Sequence, residues 1–152
     1  MRNCCLPAVI IFLLPAFKAQ AQDYPIRPVS FTSVELTDNF WLPRIRTNHN
    51  VTIPASFERC ESTGRVKNFE MAAARSGQFC TVYPFDDTDI YKTIEGASFS
   101  LSLNPDTRLE RYIDSLIVKI ADAQEPDGYL YTARTIDPMN AHKWAGKERW
   151  EK

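Results

Sequence analysis

The chain has 152 residues, of which 44% are hydrophobic and 24% charged, and its 18 basic and 19 acidic side chains give a formal net charge of -1. This length holds one domain or part of a larger one. A balanced charge without a Lys/Arg cluster argues against a nucleic-acid partner, because phosphate binding needs a concentrated basic surface.

The first 21 residues have the pattern of an export signal. Arg2 supplies a positive start, residues 6–17 form an apolar core, and Ala19-Gln20-Ala21 fits a small-x-small cleavage site. The apolar run is too short to span a bilayer. We therefore expect an exported protein, periplasmic or extracellular, with no membrane association after cleavage. An uncleaved anchor is the alternative.

Cleavage of this signal would remove Cys4 and Cys5 and leave Cys60 and Cys80. Two cysteines do not make a disulfide scaffold, and neither of them lies in a C-x-x-C or histidine-rich setting. The pair could bridge in an oxidising compartment, but the sequence favours two buried structural thiols. It indicates no metal site in this chain.

Residues 22–42 are predicted to be an extended lead that contains a short strand. Val29 to Leu36 alternate in the manner of a strand, although neither face is cleanly apolar. Thr37-Asp38-Asn39 would end the strand. Phe40-Trp41-Leu42 then forms an apolar anchor for the helices that follow.

Two short helices and a loop are predicted next. The first helix would run from Pro43 to Asn50, and the second from Ile53 to Ser62 with Thr52 as its cap. Gly64 to Glu70 resembles a loop, and Met71 to Arg75 a single helical turn.

Two longer helices joined by a tight turn are predicted between residues 86 and 130. The first runs from about Thr88 to Leu103 and has one apolar face, made of Ile90, Ile94, Ala97 and Leu101. The second ends before the helix-breaking Glu125-Pro126-Asp127-Gly128 and carries a core-facing stripe of Leu109, Tyr112, Ile113, Leu116, Ile117 and Ile120. At the turn, Asn104 would cap the second helix and Pro105 would take its first position.

So short a turn predicts that the two helices run antiparallel as neighbours. The start of the first and the end of the second then lie together, and six polar or aromatic side chains there are candidates for binding a sugar: Asp87, Asp89, Tyr91, Gln124, Asp127 and Tyr129. Carboxylates and amides can hydrogen-bond sugar hydroxyls, while aromatic rings cover the C–H face. The alternative is structural, since acidic residues cap helix starts and Pro-Asp-Gly forms ordinary turns.

Three tryptophans and two histidines complete the candidates. Trp41, Trp144 and Trp150 could stack on sugars, although packing is the commoner role of tryptophan. His49 and His142 have no partner that the sequence identifies, so each is expected to face solvent or to form a hydrogen bond. No closing element follows the last predicted helix, so we expect the N-terminal portion of a larger helical protein.

Three segments in this order resemble the N-terminal part of the β-L-arabinofuranosidase-type glycoside hydrolases of families 127 and 146. They are LTDNFWLPRIRTNHNVTIPASFERCESTGRVKNFE, FDDTDIYKTIEGASFSL and IADAQEPDGYLYTARTIDP. The resemblance covers the chain from about Val34 to Lys152. It implies a mainly α fold in which residues 43–152 are the incomplete start of an (α/α)6-barrel catalytic domain, preceded by the short strand.

The resemblance also implies the reaction, which is hydrolysis with retention of non-reducing terminal β-L-arabinofuranosides in arabinose-containing oligo- or polysaccharides. A cysteine thiolate held on zinc is the family's nucleophile, and a glutamic acid is its acid/base. Neither Cys60 nor Cys80 lies in a matching motif. This stretch is therefore expected to contain no catalytic residue, to bind no zinc and to be inactive alone. It would supply one wall of the pocket.

Two other functions stay open at this point. One is a non-catalytic glycan-binding or interaction module, which the tryptophans motivate. The other is a different (α/α)6-barrel glycan enzyme, such as an unsaturated glucuronyl hydrolase or a lyase. The order of the three segments argues against the latter.

Overall fold

The computed structural model describes residues 26–81 and 83–139. Within them it has six α-helices: α1 Trp41–Thr47, α2 Ile53–Ser62, α3 Arg65–Ala74, α4 Asp87–Leu103, α5 Thr107–Ala123 and α6 Thr132–Ile136. None of the helices in these two ranges is long and apolar enough to cross a membrane. The predicted export signal lies outside the described residues, and so do His142, Trp144 and Trp150.

The short strand predicted from Val29 to Leu36 is wrong. Phe31–Ser33 form a 3-10 helix instead, in which the Ser33 N–H donates to the Ser30 carbonyl at 2.9 Å. A strand needs a neighbouring strand for its backbone groups and an apolar face to bury. The described part of the chain provides no such neighbour, and Val29 remains 72% exposed.

The two short helices predicted between residues 43 and 62 are confirmed, with different ends. The first begins at Trp41, where the Asp38 carboxylate accepts the Trp41 N–H at 2.6 Å. A π-helical turn, Asn48–Thr52, then connects α1 directly to α2. Thr52 is therefore not a cap as predicted, because its backbone is already helical and its side chain makes no capping bond.

The loop predicted from Gly64 to Glu70 is also wrong, because α3 spans Arg65–Ala74. Val66, Phe69 and Ala72 recur at helical spacing and are each 1% exposed. Charged residues stand between them in the sequence. They lie on the other side of the helix, where Lys67 and Glu70 are exposed.

Both long helices are confirmed, with corrections at the turn and in the stripe. The cap of α5 is Asp106, whose Oδ1 accepts the N–H groups of Arg108 and Leu109 at 2.8 and 3.1 Å. Pro105 therefore lies before the helix rather than at its first position. In the predicted stripe, Ile117 is 49% exposed, while the other five residues are buried or packed against the core.

The short turn does not make α4 and α5 each other's main packing partner. Helix α5 packs most extensively on α3, which also contacts α6, whereas α4 packs chiefly on α2. The buried core runs through all of these helices and contains Ile53, Phe57, Cys60, Val66, Phe69, Ala72, Ile90, Ala97, Ile113, Leu116, Ala123 and Ile136. The start of α4 is thereby held beside the segment that follows α5.

Gly64, between α2 and α3, has a conformation and surroundings that a side chain would strain. Its φ is +83°, and an added Cβ would lie 3.0 Å from the Cβ of Cys80. We expect Gly64→Ala to lower the free energy of unfolding by about 1–3 kcal/mol. Gly96→Ala, inside α4 with open space around its added Cβ, should instead raise it by about 0.5–1 kcal/mol. Thermal denaturation of both variants measures the contrast, and shifts of the same sign would contradict it.

Candidate functional site

The start of α4 and the segment after α5 come together as predicted, through Asp87. Its side chain is buried, and its two oxygens accept the backbone N–H of Thr132 at 2.8 Å and the Thr132 hydroxyl at 2.6 Å. Burial raises the pKa of the Asp87 carboxyl, although both hydrogen bonds act in the opposite direction. The structure thus places Asp87 where it fixes the backbone of the neighbouring segment.

The turn after α5 is closed by its own side chains. The Gln124 Nε2 donates to the Gly128 carbonyl at 2.7 Å, and the Asp127 Oδ1 accepts the Tyr129 N–H at 3.0 Å. Gly128 has a φ of +89°, which favours glycine there. Gln124 and Asp127 are both exposed, so each can still offer its other polar atom to a ligand.

Tyr129 presents an aromatic ring at this end of the helices. Tyr129 is 43% exposed, and the Arg134 guanidinium lies over one face of the ring at 4.1 Å from the centroid. Glu125 anchors this arrangement, since its carboxylate lies 3.7 Å from Arg134 and accepts the Thr135 hydroxyl at 2.8 Å. The exposed part of the ring is therefore held in one orientation.

Tyr91 carries the one polar side-chain atom that is buried without a partner among the described residues, its hydroxyl. The ring meets Phe69 edge to face at 5.9 Å between centroids. Burial raises the pKa of this hydroxyl, and the nearby Asp87 charge raises it further. A buried hydroxyl without a partner costs about 1–3 kcal/mol. It is accordingly the atom at this site with the most to gain from a further group.

Asp89 is not brought to the same surface as the other candidates. Its carboxylate pairs with Arg65 at 2.8 Å and with Lys92 at 3.3 Å, and Arg65 also lies 3.4 Å from Asp86. The Arg65 guanidinium holds the pKa of Asp89 below its ordinary value. Asp89 lines a shallow depression between α2 and α4, and the ion cluster joins the start of α4 to the start of α3.

The cysteines do not form a reactive centre in the described chain. Cys60 is buried and Cys80 exposed, and both are free, so the prediction of two buried thiols is wrong for Cys80. Burial raises the pKa of the Cys60 thiol, which disfavours the thiolate form that acts as a nucleophile. No group of three His, Cys, Asp or Glu side chains lies together as metal ligands within residues 26–81 and 83–139.

The sequence did not identify Thr132, the partner of Asp87, because nothing near it in the chain signals that contact. His49 has a hydrogen bond, as one of its two expected states, through its Nδ1 and the Ser100 hydroxyl at 2.8 Å. Trp41 is 57% exposed and meets Phe40 edge to face at 5.0 Å. Sugar binding by the six predicted side chains stays a prediction.

Comparison with known proteins identifies related chains. Residues 33–152 match the family described as β-L-arabinofuranosidase, GH127 catalytic domain. A relative named non-reducing end beta-L-arabinofuranosidase, from Bifidobacterium longum subsp. longum, is 33% identical over 98 residues, which are 64% of this chain and 14% of the relative. A solved structure titled as a GH127 beta-arabinofuranosidase is 59% identical with a TM-score of 0.75, over 84% of this chain and 20% of that one.

The relative and the solved structure are both much longer than this chain. It spans only 14% of the curated relative and 20% of the solved chain that it matches. The helices described above therefore correspond to only a part of that solved chain. Because the family match covers most of the sequence, the chain belongs to the GH127 β-L-arabinofuranosidase catalytic-domain family.

Proposed function

We propose that these residues are the front part of an exported glycoside hydrolase that releases non-reducing terminal β-L-arabinofuranose from arabinose-containing, plant-type glycans. The observation that supports this most strongly is the family match over residues 33–152. The solved protein titled as a beta-arabinofuranosidase adds support through its 59% identity. The export signal predicted in residues 1–21 would send the enzyme to the periplasm or outside the cell.

Zinc in the longer protein is part of this proposal, because a bound zinc ion keeps a cysteine nucleophile ionised. The described residues do not fit such a site. Their metal-ligating side chains do not cluster, and Cys60 is buried with a raised pKa. We assign no catalytic step to them.

The role that we propose for these residues is to shape one wall of the sugar pocket. Tyr91 has a buried hydroxyl without a partner among the described residues, and Tyr129 has an oriented, partly exposed ring. The exposed ring of Tyr129 is suited to touch a sugar, and the buried Tyr91 hydroxyl is suited to bond with a further group of the pocket. Asp87, Gln124 and Asp127 bind backbone groups of the adjoining segment and would position it.

The test is release of arabinose by the complete gene product that contains these residues. We expect it to release L-arabinose from an aryl β-L-arabinofuranoside, to lose this activity with a chelator and to regain it with zinc. The 152-residue chain alone is the matched control and should release none. If the complete product releases no arabinose but binds arabino-oligosaccharides saturably, a non-catalytic binding module becomes the better account.

A further inference from the structure

A groove of about 670 Å³ lies where α4 turns into α5, between α2, the π-helical turn and the start of α5. Its charged and aromatic lining defines what we call the turn-end groove, made of His49, Glu58, Glu61, Asp106, Arg108 and Tyr112. Helix α4 has 17 residues and is therefore about 25 Å long. The groove thus lies about that far from Asp87, at the opposite end of α4 from the proposed pocket wall.

One wall of the groove is a fixed aromatic side chain with a polar tip. Tyr112 donates its hydroxyl to the Glu61 Oε1 at 2.8 Å, which links α5 to α2. The Phe57 ring packs edge to face on Tyr112 at 5.0 Å between centroids. The tyrosine is therefore locked from both sides, and the second Glu61 oxygen remains able to accept. Fixed aromatic surface beside convergent acceptors is typical of small-ligand sites.

A second polar pair in the groove lining is made of His49 and Asp106. His49 bonds through Nδ1 to Ser100, and its Nε2 lies 3.9 Å from the Asp106 Oδ2. That distance is too long for a direct hydrogen bond, and an oxygen about 2.8 Å from both atoms would bridge them from about 2 Å to one side of the line that joins them. Asp106 cannot turn away easily, because its other oxygen accepts two N–H groups of α5.

The backbone that presents His49 is itself unusual. The π-helical turn Asn48–Thr52 places this imidazole between α4 and α5. Such turns are rare and occur frequently at functional sites. Only 14% of the His49 side chain is exposed, so its surroundings restrict the orientation of the ring.

The charges of the groove select among ligands. Glu58, Glu61 and Asp106 supply three carboxylates, against the single guanidinium of Arg108. A uronate or phosphate would be repelled in this acidic surrounding. A neutral polyol can donate hydroxyls to the carboxylates and accept from Arg108 and Tyr112.

We propose that the turn-end groove binds a neutral saccharide unit of the polymeric substrate, apart from the pocket in which the terminal residue is removed. Such a site would keep the polymer attached while successive terminal residues are released. The binding role stands independently of the proposed hydrolysis, which serves only to select arabinan as the polymer for the test.

Affinity electrophoresis of the complete gene product, in native gels with and without a plant arabinan that carries terminal β-L-arabinofuranose, measures this binding. The double variant Glu61→Gln/Tyr112→Phe removes a charge and a hydroxyl together while preserving volume, and the new amide at the exposed position 61 can bond with water. We expect its affinity for arabinan to fall at least tenfold. The matched control is Glu35→Gln/Tyr83→Phe, which makes the same changes at exposed positions outside the groove and should bind arabinan like the wild type.

Three results would overturn the proposal. The first is equal arabinan binding by the double variant and the control, and the second is no retardation of the wild type. The third is a parallel tenfold fall in kcat/KM for a soluble aryl β-L-arabinofuranoside, which would make the groove part of the hydrolytic site. Failure of the proposed enzyme activity is distinguishable, since a product that releases no arabinose can still lose arabinan binding through the double variant alone.

Discussion

Replacing Asp87 with alanine is expected to lower the free energy of unfolding by about 2–4 kcal/mol. The substitution removes the acceptor for both the N–H and the hydroxyl of Thr132, which is 1% exposed and cannot recruit water in exchange. The loss should appear as a lower thermal midpoint of the complete gene product. It should also appear as faster hydrogen–deuterium exchange in α6, the helix that begins at Thr132.

Two further variants make this test specific. Thr132→Val removes only the hydroxyl and should cost about half as much as Asp87→Ala, because the backbone hydrogen bond stays. Asp122→Ala removes an exposed carboxylate from α5 and should change the midpoint by about 0.5 kcal/mol or less. Equal thermal midpoints for Asp87→Ala and Asp122→Ala would contradict a stabilising role of the buried Asp87–Thr132 hydrogen bonds.

The pH dependence of Asp87 has a definite sign. Because burial raises the pKa of this carboxyl, the folded chain retains the proton at a pH where the unfolded chain has lost it. Its contribution to stability is fully present below the unfolded pKa of about 3.9 and is lost as the pH rises through the folded pKa. The free energy of unfolding of the wild type should therefore exceed that of Asp87→Asn by less and less as the pH rises above about 4. Midpoints measured across that range test this, and an advantage that grows with pH would reverse the assignment.

Phe69→Ala is expected to have the largest effect, a loss of about 3–5 kcal/mol. Phe69 is 1% exposed on α3, the helix that packs against both α5 and α6. Its ring also supports Tyr91 through an edge-to-face contact. Truncation leaves a cavity at the centre of the helix assembly, and the thermal midpoint of the complete gene product measures the cost.

Phe99→Ala is the matched control for this cavity. Phe99 lies on α4, is 54% exposed and touches Phe31 at 5.4 Å between ring centroids. We expect its truncation to cost about 1 kcal/mol or less. If Phe69→Ala and Phe99→Ala had the same thermal midpoint, α3 would not be the packing centre that the burial of Phe69 indicates.

Much of the helical architecture was predictable, since periodicity reports which face a helix buries. Ile90 and Ala97 in α4, and Ile113 and Leu116 in α5, have the predicted spacing and are buried. The first part of helix α3 was missed, and only its end, from Met71, was predicted as a helical turn, although Val66, Phe69 and Ala72 keep the same period. Charged residues lie between them, and at a helix surface such residues carry no information against helix formation.

The candidate site shows where local patterns stop being informative. The acidic start of α4 and the Pro-Asp-Gly turn after α5 correctly indicated which ends of these two helices lie together. These local patterns could not distinguish Asp87, which forms buried hydrogen bonds with Thr132, from Asp89, which forms a salt bridge with Arg65. That difference depends on which residue lies opposite each carboxylate in the fold. The partner of Asp87, Thr132, is 45 residues away from it in the sequence. Tertiary contacts at such a separation leave no mark on local composition.

The same separation determines when the contact between Asp87 and Thr132 can form during synthesis. A ribosome that adds about 5–20 residues per second needs roughly 2–9 s to make the 45 residues from Asp87 to Thr132. Throughout that interval the first turn of α4 has emerged without its partner, and Asp87 stays hydrated rather than buried. The nascent chain can therefore begin α4 early, but it can lock that helix into the assembly only after α5 and the turn behind it exist.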